Sequence, residues 1–226
     1  MDATAPREKA FLLAKPEQRL LEGIARRLPA RVLPDHLTAL ALVAAAGFAV
    51  FGAFGWLWGM GALLVVQWLG DSLDGTLARV RKAERPRYGY YIDHLADALS
   101  TGLVGIGLGL TAQMHLTIAL VLVVAYLALS INTYLETQAL GVFRLGYGRL
   151  GPTEARLALL GMLVAIALGA HASLSLLGQT LTLLDLVGLG AAGAMTLAGG
   201  ARALANLRVL ALREPVARQG RHSVRA

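Results

Sequence analysis

The chain has 226 residues, of which 56% are hydrophobic and 15% charged, with a formal net charge of +7. Charge this sparse is foreign to a soluble domain of that length, and a mean hydropathy of +0.60 points to an integral membrane protein. The absence of cysteine excludes disulfides and thiolate metal sites and says nothing of the redox compartment.

Residues 1–15 are polar and read as a mobile start, and no signal peptide is visible in them. From Pro16 to Pro29, Leu20, Leu21, Ile24 and Leu28 form an apolar stripe opposite Arg19, Arg26 and Arg27. This pattern predicts an amphipathic helix on the membrane surface, ended by Pro29, with packing on the protein itself as the alternative. Pro34-Asp35-His36-Leu37-Thr38 reads as a helix start, with Asp35 as cap and Thr38 at the third helical position. Six apolar segments near bilayer-spanning length follow, at 37–56, 58–80, 90–112, 115–139, 154–172 and 181–206. The expected fold is all-α integral membrane: six transmembrane helices preceded by an amphipathic interfacial helix. The expected division is an N-terminal segment with the interfacial helix over 1–33, a catalytic six-helix unit over 34–206, and a basic tail over 207–226.

The 21 Lys and Arg residues are unevenly placed. Seven precede the first span, five lie between 79 and 87, three between 144 and 156, and six beyond 200. The breaks near 55–58, 112–115 and 171–179 hold none. The positive-inside rule then puts both termini and the 79–87 loop in the cytoplasm, which makes nucleic-acid binding an unnecessary explanation of the basic charge. Gly105 and Gly109 form a small-x-x-x-small pair, suited either to the interface of a homodimer or to internal packing.

Around that loop lie four carboxylates, Asp71 and Asp74 spaced i, i+3, and Asp93 and Asp97 spaced i, i+4. On helices each pair projects from one face. Four acids at a membrane boundary repel one another unless a cation neutralises them, and hard divalent ions take oxygen ligands. Asp71, Asp74 and Asp93 are the first choice as metal ligands, with Asp97 able to join them. Such a site suits phosphoryl transfer from a nucleotide diphosphate. Gly75 and Ala78 leave room for a nucleotide beside the helix, and Arg79 offers a planar fork to a phosphate.

The run Asp71-x-x-Asp74-Gly75-x-x-Ala78-Arg79, followed by Gly89, Asp93 and Asp97, resembles the signature of the CDP-alcohol phosphotransferase family. The resemblance implies a membrane enzyme of phospholipid synthesis that uses Mg²⁺, or Mn²⁺ in its place, as a pair of ions. It implies a nucleotide site at Asp71, Asp74, Gly75, Ala78, Arg79 and Gly89. It makes Asp97 the base that deprotonates an acceptor alcohol, which attacks the β-phosphorus of a CDP-alcohol and expels CMP. The Pro34–Thr38 segment is similar to a family motif before the first span, with Asp35 where Asn is commoner. Asp93-His94 and Glu154 resemble the choline/ethanolamine phosphotransferase branch and add His94 and Glu154 as catalytic candidates. His94 as a bundle hydrogen-bonding group, and Glu154 as a first-turn acid on its helix, are the structural alternatives. The expected partners are a CDP-alcohol donor, an alcohol or lipid acceptor, membrane lipids and a second copy of the chain.

Glu136, Tyr134 and Gln138, with Arg144, Arg149 and Arg156, form a mixed polar mouth suited to a phosphate or a headgroup. A cation- or proton-coupled transporter using the same acids is the competing function. Orientation is directly testable in this Cys-free chain. Cysteines placed at Gln113 or Ser175 are expected to react with an impermeant thiol reagent on intact cells, and those at Ala83 or Arg218 are not. The inverse labelling pattern would overturn the cytoplasmic placement.

Overall fold

Proline and capping residues set where the helices begin. In the computed structural model, which describes residues 13–141, 151–176 and 178–215, three helices open on a proline. These are α2 (Pro34–Ala53), α4 (Pro86–Gly109) and α6 (Pro152–Ala167). The missing N–H costs nothing in a first turn, and the ring fixes φ for the helix. The other helices are α1 (Ala14–Arg27), α3 (Leu57–Val80), α5 (Leu116–Leu140) and α7 (Leu183–Arg213). Thr182 and Asp185 form a reciprocal cap on α7: Asp185 N donates to Thr182 Oγ1 at 3.2 Å, and Thr182 N donates to Asp185 Oδ2 at 2.9 Å. Gly141, at φ 69°, closes α5 in the left-handed conformation.

Among the described residues, three helices, α2, α5 and α7, are long and apolar enough to cross a membrane. The other predicted spans are α3 and α4, which carry the acids, and α6, which has 16 residues. The predicted helix at 37–56 starts earlier, so Asp35 lies within the first turn and does not cap it. Its carboxylate pairs with Arg85 and accepts from Tyr88 Oη at 3.4 Å. The break at 171–179 contains a β-hairpin, β1 (Ser173–Leu176) with β2 (Gln179–Thr182), in antiparallel register from Ser173–Thr182 to Leu176–Gln179. The alternating Ser-Leu-Ser-Leu of β1 is its period-two signal. The last helix runs on to Arg213, beyond the predicted end at 206.

α1 is amphipathic and its stripe is divided. Leu21 and Ala25 are buried with Leu37, Leu73 and Leu77, whereas Leu20 stays 53% exposed. Polar contacts fasten it as well: Trp68 Nε1 and Thr153 Oγ1 both donate to Glu17 Oε1, at 3.1 and 2.8 Å.

α2 packs on both α3 and α4, while α3 and α4 meet over only a short stretch. Small residues let α2 approach closely. A Cβ on Gly52 would lie 2.1 Å from the Gly107 carbonyl oxygen, and one on Gly70 would lie 2.7 Å from that of Leu37. Gly105 and Gly109 are engaged in internal packing. A Cβ on Gly105 would meet Val123 Cγ2 at 2.1 Å, and one on Gly109 would meet the Leu116 Cα at 2.8 Å.

Two polar links hold α7. Glu136, buried on α5, pairs with Arg202 Nε at 2.5 Å, so its carboxylate faces α7 and serves helix packing. Arg144 and Arg149 of the polar mouth lie outside the described residues. Near the start of α7, His115 N donates to Asp185 Oδ1 at 2.8 Å, and His115 Nδ1 lies 2.7 Å from Oδ2.

The close approach of α2 to α4 has a measurable consequence. Gly52→Ala is expected to destabilise the detergent-solubilised protein by about 1–3 kcal/mol, because the added methyl collides with backbone. Gly161→Ala, where an added Cβ meets nothing within 4 Å, is expected to unfold at or slightly above the wild-type temperature. Equal thermal midpoints for Gly52→Ala and wild type would contradict this packing.

Candidate active site

Three of the four acids, Asp71 from α3 and Asp93 and Asp97 from α4, meet between the two helices. One carboxylate oxygen each from Asp71, Asp93 and Asp97 lies within 4.8 Å of the other two. Asp74 is placed differently. It is 8% exposed, and its Oδ2 accepts from Thr38 Oγ1 at 2.5 Å while its Oδ1 accepts from Gly75 N at 2.5 Å. Three of the four predicted ligands are thus grouped, and the fourth is held toward α2 by a residue of the Pro34–Thr38 segment.

A cation from another helix enters the group. Arg156 on α6 places Nη2 at 2.8 Å from Asp71 Oδ2 and 3.9 Å from Asp97 Oδ1. In sequence it was one of three basic residues in a polar mouth; the structure puts it against the acids. Glu154, two residues earlier, accepts from Gly151 N at 2.9 Å and from Leu13 N at 3.0 Å. Those bonds make it the capping acid of α6 and a tether for α1, and it is not one of the grouped carboxylates.

His94 Nδ1 lies 3.3 Å from Asp93 Oδ2. Its ring sits between Tyr90 and Tyr134, with centroid separations of 4.1 and 4.5 Å. Tyr126 and Ser130 lie two turns and one turn before Tyr134 on the same helix, α5. The stripe Tyr126, Ser130, Tyr134 was missed in the sequence. Its only signal there is the i, i+4, i+8 spacing of hydroxyls on an otherwise apolar helix.

The predicted nucleotide surface is open. A Cβ on Gly75 would meet only Arg79 Nη1, at 3.3 Å, and one on Gly89 would meet nothing within 4 Å. Ala78 is half-buried beside them and Arg79 is exposed. The Arg79 guanidinium donates through Nη2 to Thr76 Oγ1 at 3.0 Å. Arg81 turns the other way and ties the α1–α2 connection down, donating through Nη2 to the Pro29 and Leu28 carbonyls at 2.8 and 3.1 Å.

Comparison with known proteins places the chain in a family. The family model for CDP-alcohol phosphatidyltransferase matches residues 31–190. Among curated proteins, none matches the sequence significantly. Among solved structures, the chain is similar to the crystal structure of Mycobacterium tuberculosis phosphatidylinositol phosphate synthase with CDP-DAG bound. The two share 21% identity over 87% of this chain and 94% of that one, with a TM-score of 0.57, a likeness that shows the fold. The chain belongs to the CDP-alcohol phosphatidyltransferase family and is an integral membrane transferase of phosphate-containing groups.

Proposed function

We propose that this transferase moves a substituted phosphate group from a CDP-alcohol to an acceptor alcohol, with release of CMP, and that its catalytic unit is the helical region 34–206. The grouping of Asp71, Asp93 and Asp97 within 4.8 Å, drawn from two helices, carries the reading. The donor set fits a hard divalent cation: three carboxylate oxygens converge, and a guanidinium already stands against two of the acids. In this proposal Asp71, Asp93 and Asp97, with Asp74 beside them, hold two Mg²⁺ ions, or Mn²⁺ in their place. When bound, the metal neutralises charge on the pyrophosphate.

The residues of the chain supply the rest. Gly75, Ala78 and Gly89 let the donor lie against the helices, and Arg79 offers its planar cation to a phosphate. Asp97 takes the proton of the acceptor hydroxyl. The acceptor oxygen then bonds to the β-phosphorus, and the bond from that phosphorus to the bridging oxygen breaks, so that oxygen leaves with CMP. His94 is the rival base, with its ring pinned by two tyrosines. Glu154 is proposed to act through the position of α6, on which Arg156 stands.

The site and both termini are assigned to the cytoplasmic side, supported by the basic residues at 79–87 and at the chain ends. The acceptor is taken to be an alcohol or a lipid. A homodimer belongs to the same proposal, with an interface other than Gly105 and Gly109. A cation transporter would use the same acids without releasing CMP.

The deciding assay supplies the purified protein with Mg²⁺, a panel of CDP-alcohols and acceptors, and follows CMP and the lipid product by mass spectrometry. Wild type is expected to release CMP, and Asp71→Asn, Asp74→Asn and Asp93→Asn to be inactive. Thr38→Val should lose about ten- to a hundredfold, the scale for removing a partner of a ligand carboxylate, while Thr38→Ser keeps most activity. Asp97→Asn should still bind donor and lose turnover by roughly a hundredfold or more. A dead His94→Gln beside an active Asp97→Asn would move the base to His94. Cation flux into liposomes without CMP release from any donor would favour the transporter.

A further inference from the structure

We propose that Arg156 is a built-in counter-cation of the carboxylate group, and that a divalent ion has to displace it, so that Arg156 sets the metal affinity of the enzyme. The inference rests on the metal reading of Asp71, Asp93 and Asp97 given above. Its observation is that a single guanidinium nitrogen, Nη2, faces two acids from two helices, Asp71 at 2.8 Å and Asp97 at 3.9 Å. Asp93 completes the group, so among the described residues the Arg156 guanidinium is set against a cluster of three carboxylates.

A divalent ion bound to these oxygens would sit within a few ångströms of the guanidinium. Like charges that close in a poorly solvated site exclude one another. The Arg156 side chain, 22% exposed, lines a cavity of about 20 Å³ together with Leu64, Trp68, Thr153 and Leu157. Trp68 and Thr153 both donate to Glu17 Oε1, which sets a second carboxylate beside that cavity.

The consequence follows from competition. The apparent affinity for a ligand falls by the fraction of molecules competent to take it, so a group paired nine-tenths of the time binds about tenfold more weakly. Charge reversal of the usual expectation results: removing a residue that touches the ligand carboxylates should tighten the metal.

Mn²⁺ binding to the full-length chain in detergent, measured by titration calorimetry, tests this. Arg156→Gln is expected to bind Mn²⁺ about tenfold more tightly than wild type, and its metal-free form to unfold at a lower temperature. Arg156→Lys, which keeps the charge, is expected within about threefold of wild type. Unchanged or weaker Mn²⁺ binding by Arg156→Gln overturns the proposal. A second measurement does not depend on that variant folding. In a W56F/W58F chain Trp68 is the only tryptophan, and its emission is expected to shift during a Mg²⁺ titration with the midpoint of binding. Emission that stays constant through saturation overturns the proposal. Wild type that binds no Mn²⁺ overturns the metal site itself, whereas binding indifferent to Arg156 overturns this inference alone.

Discussion

Three carboxylates drawn to within 4.8 Å of one another repel, and in an apolar bundle water screens them poorly. The surrounding structure can be understood as what holds them there. Asp71 comes from α3 and Asp93 and Asp97 from α4, two helices that scarcely touch, so no direct packing between α3 and α4 fixes the spacing. The opposing charge of Arg156 relieves part of the repulsion from a third direction. That arginine is in turn located by the start of α6, where Glu154 and Thr153 bind Leu13 and Glu17 of the α1 region. Helix α1 is thus mechanically connected to the acids, although it contributes none of them.

The polar links away from the site answer a different need. Lipid is as apolar as the helix surfaces it covers, so helices in a bilayer gain little by burying leucine against leucine. Close contact through small residues and a few well-partnered polar groups take over. The Glu136–Arg202 pair joins α5 to α7 along the bundle, and His115 with Asp185 joins them near the start of α7. Asp185 is fully buried and accepts from two backbone N–H groups as well as facing His115, which satisfies a charge that would otherwise be costly to bury.

What could be read from the sequence was whatever depends on local spacing. The i, i+3 and i, i+4 acids, the long apolar runs and the amphipathic stripe of α1 each declare themselves within a dozen residues. What could not be read depends on which helices become neighbours. Arg156 and Asp71 are 85 positions apart, and Thr38 and Asp74 are 36 apart, so neither contact leaves a local trace. Gly105 and Gly109 show the limit from the other side: the same spacing serves a dimer or an internal contact, and only the placement of Val123 and Leu116 decides. Asp35 looked like a cap because it precedes the apolar run, but Pro34 already starts the helix and frees the carboxylate for Arg85.

α2 carries no acid, yet it determines the geometry of the acids more than any other element. It reaches α3 through Gly70, whose missing Cβ admits the Leu37 carbonyl, and α4 through the paired backbones of Gly52 and Gly107. With both helices fixed against a common third, the distance from Asp71 to Asp93 and Asp97 is set by α2 and not by the acids' own interactions. Thr38 adds an angular constraint by fastening Asp74, one turn beyond Asp71, to the same helix. A site built this way keeps its carboxylates grouped whichever cation faces them, because the scaffold, not the ligand, supplies the work of holding like charges together. The grouping of the carboxylates is thus a property of the helix packing, to which Arg156 adds its charge from α6.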